Sequence, residues 1–329
     1  SGGSVSADKN NGAVITVNGT TTNETLVNIT NKGTIQNTNT SKGFGVDIIP
    51  GNSKTITISN FTNEGLITSY KEAVVLRGDS KNGYATIENF KNTGTLHSDN
   101  SSGAYIQGVV KTFENSGTVE GTNGINIVSG GKVETIINNG ILQGKTNGII
   151  VQGTLTNLIN YGTIVSEQKD NYYGGGFLAK HGTFSTLTNK GVIKGLGESG
   201  EFAGIGLYNS KFELINNESL ITSVLIGINL SHINGQGNTG SIVNNSGTIM
   251  AEEHGIYLAA STQLGTIKNS GVISSKNGIR LYDIGWGTSK PINVASIENS
   301  GAIIASEDGL SMADGRTNDD LSGMTIENF

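Results

Sequence analysis

A cassette of the form apolar-x-Asn-x-Gly-x-apolar recurs eleven times, on Asn31, Asn63, Asn92, Asn115, Asn138, Asn160, Asn189, Asn217, Asn245, Asn269 and Asn299, at intervals of 22 to 32 residues. One copy, NES at Asn217, has Ser in place of Gly. Between the copies runs a second motif, Gly-apolar-x-apolar, as in GVDI at Gly45, GINI at Gly124 and GIYL at Gly255; AVVL at Ala73 lacks the Gly. Each repeat therefore holds three short alternating segments separated by turns. Alternation with period two turns one face inward and the other outward. A unit this short cannot bury its apolar row alone, but copies stacked in parallel about 4.8 Å apart join those rows into one core.

This pattern predicts an all-β chain folded as a right-handed parallel β-helix, a solenoid of about eleven to twelve coils with corner-loop insertions, in a rod on the order of 50 Å long. Residues 1–12 are expected to be a linker or N-terminal edge, and residues 13–329 a single β-helix domain. Because MTIENF (324–329) repeats the start of ATIENFKNTG (85–94), that domain is expected to be truncated at its C-terminal end. The repeated Asn has two expected uses. At a corner it tolerates a left-handed or bridge backbone, and its amide can bond to the Asn of the next coil, giving a structural ladder. Phe61, Phe90 and Phe113 fall in successive copies and are expected to stack in the core.

Composition agrees with this reading and removes others. The 49 Gly, with abundant Asn, Thr and Ser, supply turns at short intervals, and only 2 Pro interrupt the strands. A net charge of −6 without a Lys/Arg run argues against nucleic acid and anionic membranes as partners. With 0 Cys, disulfides and thiolate zinc are impossible. The four His (His97, His181, His232, His254) lie on separate coils, and no nucleophile-elbow, zinc-protease or phosphate-loop motif occurs. The outward rows pair no carboxylates, so no cofactor, metal or catalytic residue is expected and the chain reads as a non-enzyme.

The Asn-x-Gly-x-Ile and Gly-Ile-x-Leu repeats, the absence of Cys and the acidic, Asn/Thr/Gly-rich character resemble the passenger domains of Gram-negative autotransporters (type V secretion), the adhesin-like ones above all. The resemblance covers residues 13–329. It implies display on a bacterial cell surface or secretion, and attachment by non-catalytic contact to a host-cell surface protein or glycan, or to other copies of the chain in aggregation and biofilm. The alternative on the same scaffold is a secreted or phage-type polysaccharide lyase or hydrolase.

Binding is expected at corner insertions and on outward strand positions. Arg77, Gly78 and Asp79 form the tripeptide read by animal integrins, a guanidinium and a carboxylate on a Gly turn. Two insertions in successive coils bring Tyr172 and Tyr173 near Glu198 and Phe202 as a candidate contact loop, and the single Trp, Trp286, lies in another. Val75, Tyr105, Ile150, Leu178 and Tyr257 are expected to face outward, a stripe suited to side-by-side association.

Overall fold

The structure, a computed structural model, describes residues 3–7, 12–18, 24–50, 54–79, 83–167, 174–198, 200–233, 235–283, 291–314 and 325–328. The described residues are all-β, without helix, and form a parallel β-solenoid of about 10 turns. They divide into two compact units, Ser1–Thr163 and Ile164–Phe329.

Each turn contains the three strands that the two motifs delimit. In the first unit the strand ending at the repeated Asn is seen in Glu24–Asn31, Lys54–Asn63, Gly83–Asn92, Val109–Asn115, Lys132–Asn138 and Thr154–Asn160. Neighbouring copies pair in parallel with Asn opposite Asn and apolar opposite apolar, Phe61 against Phe90 and Phe90 against Phe113. The second strands include Thr34–Asn37, Leu66–Ser69 and Thr95–Ser98, and the third Phe44–Ile49, Val74–Leu76 and Ser102–Ile106. In two later turns the connection is so short that second and third strands run on as Thr118–Ile127 and Ile141–Val151. Within the stretch expected to be a linker or N-terminal edge, Ser4–Ala7 forms a strand paired with Thr34–Asn37.

The second unit repeats the arrangement. Its Asn strands are Thr183–Asn189, Lys211–Asn217, Thr239–Asn245, Gln263–Asn269 and Asn293–Asn299, and Thr325–Asn328 pairs onto the last of these. Its third strands include Gly175–Lys180, Ala203–Tyr208, Ile226–Ser231, His254–Ala259 and Asn277–Asp283.

The Asn columns are hydrogen-bonded ladders, buried except at Asn299. In the first unit Asn31 donates to Asn63 at 2.8 Å, Asn63 to Asn92 at 2.8 Å, Asn92 to Asn115 at 2.8 Å, Asn115 to Asn138 at 2.9 Å and Asn138 to Asn160 at 2.8 Å. In the second unit the ladder runs Asn189, Asn217, Asn245, Asn269, Asn299 at 2.7–2.8 Å. Each amide nitrogen also serves backbone carbonyls: that of Asn115 donates to Gly117 O and Ile141 O, both at 3.1 Å. A buried polar group is thus fully used. Beside the ladder the Phe rings stack, Phe61 on Phe90 at 4.7 Å and Phe90 on Phe113 at 4.4 Å.

One expectation about these corners is corrected. No ladder Asn has a left-handed backbone; among the described residues the non-glycine positions with positive φ are His181, Asn209 and Ser261, at the corner after the third strand. There Asn209 donates to His181 Nδ1 at 3.0 Å and to Gln236 Oε1 at 2.7 Å. The ladder Asn end extended strands, so their side-chain amide is what the position requires. The glycines two residues on have a different reason, close approach. A Cβ on Gly65, Gly94, Gly117 or Gly140 would fall on the carbonyl of the glycine one turn earlier.

Candidate binding grooves

With amides and apolar rows consumed by stacking, two grooves gather on the outward row of the third strands. In the first unit this row includes Asp47, Val75 and Tyr105, in register. Alternation predicts that all three face solvent; Asp47 and Val75 instead are buried. The cause is Arg77, two residues past Val75, which reaches back one turn and closes on Asp47 with both arms, Nε to Oδ1 at 2.7 Å and Nη2 to Oδ2 at 2.8 Å. This hydrogen bonding holds the guanidinium above its ordinary pKa. Val75 becomes the floor of a groove.

Around that floor stand residues on either side of the missing second-motif Gly. Phe44 has Lys71 over its ring at 5.1 Å and Arg77 at 5.5 Å. Tyr70 accepts a hydrogen bond from Asn100 at 3.2 Å. Glu72 accepts one from the Ser101 hydroxyl at 2.8 Å through Oε1, while its Oε2 is buried without a partner. Burial, and then the charge of Glu72, raise the Tyr105 phenol above its ordinary pKa. The groove holds about 390 Å³ and presents three aromatic rings beside a carboxylate oxygen that lacks a donor.

The structure places the integrin-type tripeptide beside this groove. Arg77 is already paired with a buried carboxylate, Gly78 is buried, and Gly78–Asp79 is a strand running antiparallel to Gly83 and Tyr84. Gly83, opposite Asp79 in that pairing, has φ 85°. The candidate contact loop is also redrawn. Phe202 is fully buried, with Gly197 so close to the ring that a Cβ there would overlap it, so the insertion folds its aromatic residue inward as a cover. Glu198 remains exposed. Tyr172, Tyr173 and Trp286 lie outside the described residues. Leu178, expected on the outward stripe, is buried because Gly206 beside it leaves room for Leu178 and the Tyr208 ring to close together.

Of the four His, His97 has the most marked environment: Nδ1 lies 2.6 Å from Glu120 and Nε2 2.9 Å from Asp99. Burial alone would lower its pKa, but the hydrogen bonds and charges of the two carboxylates outweigh this and raise it. Among the described residues no cluster of His, Asp and Glu could hold a metal ion.

Sequence reasoning missed Phe44, Tyr70 and Glu72. A signal was present: Phe44 and Glu72 immediately precede Gly45 and Ala73, the same position of the second motif in successive copies. No protein-family model, curated protein or solved structure matches the chain.

Proposed function

We propose that the chain is a passenger-type solenoid adhesin of a bacterial surface, attaching without catalysis to a host-cell glycan or protein, or to copies of itself. The observation that carries the reading is the first-unit groove. Flat rings of Tyr70, Tyr105 and Phe44 beside hydrogen-bonding Glu72, Asn100 and Ser101 match the way protein sites take sugars, one face stacked and the hydroxyls bonded. Arg77 is already paired with Asp47, and the charges of Lys71, Glu72, Arg77 and Asp47 cancel, which favours a weakly charged ligand in this groove. Weak contacts of this kind gain strength when many chains are displayed together.

The test is attachment of the labelled protein to epithelial cells and to immobilised glycans, for the native chain and for Tyr70→Ala/Tyr105→Ala. The expected outcome is saturable attachment, reduced at least fivefold in the variant at an unchanged thermal midpoint. Release of reducing ends from a bacterial or host polysaccharide would overturn the reading in favour of the lyase or hydrolase alternative.

A further inference from the structure

The second unit carries its own groove, of about 310 Å³, on the third-strand wall. Its polar groups are less well satisfied than those of the first. Arg280 lies over the Tyr282 ring at 5.2 Å, and its Nε is buried without a hydrogen-bond partner. It forms no ion pair among the described residues. His254 stacks on Tyr257 at 5.2 Å and 14°, and its Nδ1 is buried and unpaired. Burial and then the Arg280 charge lower the His254 pKa, so the ring is neutral at neutral pH. Across the groove Glu201 has Oε2 buried without a partner. At the rim Lys276 sits 3.6 Å from Glu253 and 3.5 Å from Glu307, which leaves Arg280, among the described residues, as the cation of this groove not engaged by a carboxylate.

Orphaned buried polar atoms are costly, and three of them belong to residues that line this one groove. The first unit indicates what the guanidinium takes. There Arg77, also held over an aromatic ring, is closed by both oxygens of Asp47. A planar guanidinium matches a carboxylate with two parallel bonds, a geometry that Lys cannot reproduce.

We infer that the groove at Arg280, Glu201 and the stacked His254–Tyr257 pair binds a carboxylate-bearing sugar residue, its carboxylate on Arg280, a hydroxyl on Glu201 and its ring against that stacked pair. Each part of the ligand answers one feature. A neutral sugar leaves the guanidinium unpaired, and a simple anion offers nothing to Glu201 or the rings. The inference rests on the attachment reading and narrows its ligand to acidic glycans in this unit.

The probe is glucuronate, with glucose as the same ring lacking the carboxylate, titrated into the whole chain by calorimetry or saturation-transfer NMR. Glucuronate is expected to bind with Kd on the order of 1 mM, and glucose at least tenfold more weakly. Arg280→Gln and Arg280→Lys should each weaken glucuronate at least tenfold while the thermal midpoint stays put, and Glu201→Gln should weaken it severalfold. Equal binding of glucose, displacement by sodium acetate as effective as by glucuronate, or full retention in Arg280→Lys would overturn the assignment, as would no binding of glucuronate. The two readings fail separately. Cell attachment without glucuronate binding sinks only the acidic-sugar site, and glucuronate binding without attachment sinks only the adhesin reading.

Discussion

Two Asn three residues apart show how position decides what one side chain contributes. Asn92 is buried, accepting from Asn63 and donating to Asn115, Gly94 O and Thr118 O. Asn89 is exposed and donates to Asn60 at 3.1 Å on the outer face. Asn92→Ala orphans several buried groups at about 1–3 kcal/mol each, so a loss of roughly 3 kcal/mol or more is expected. Asn89→Ala should stay within about 0.5 kcal/mol. Urea midpoints of the two variants check this, and similar losses would contradict the ladder. His97 gives a pH signature. Its folded pKa is raised above 6.5 by Asp99 and Glu120 against the opposing effect of burial. The protonated ring therefore adds stability that is fully present below the ordinary value and lost as pH rises through the folded one. The gap in thermal midpoint between the native chain and His97→Gln should shrink from about pH 5 to 9; a gap that widens would refute the pairing.

At the scale of strands and turns, the glycine columns set how closely turns approach. A Cβ on Gly278 would strike Ile303 Cγ2 and the carbonyl of Gly309. Gly278→Ala should therefore cost about 1–3 kcal/mol through overpacking, as read from the thermal midpoint. This column was legible in the sequence, as were the three strands per turn, the Phe stack and the Asn ladder, because each recurs at a spacing set by one turn. What was not legible came from single residues that break the repeat. The Arg77 to Asp47 pair joins positions 30 residues apart, and among the described residues no other turn repeats it. Period-two alternation placed Val75 and Leu178 outside, but it does not register a long neighbour folding over them. Phe202 turned inward because Gly197 admits its ring, a contact within an insertion that no period describes. The left-handed residues lie at a different corner from the one expected, since spacing locates corners and does not give their φ.

At the scale of the molecule, the proposed function implies that each unit separates the work of holding the fold from the work of meeting a partner. The first-strand corners are closed by ladders and glycine columns, and the third-strand wall gathers rings, charges and unpaired polar atoms, around Glu72 in one unit and around Arg280 in the other. Attachment should therefore respond to wall substitutions that leave stability alone, and fall only with unfolding when the ladder is cut. The most direct measurement compares cell attachment and thermal midpoint for three proteins: the native chain, Tyr70→Ala/Tyr105→Ala, and Asn89→Ala on the outer face of the first strands. The account predicts a fivefold or greater loss of attachment in the Tyr variant alone, with all three midpoints alike. Full attachment by the Tyr variant, or an equal loss in Asn89→Ala, would contradict it.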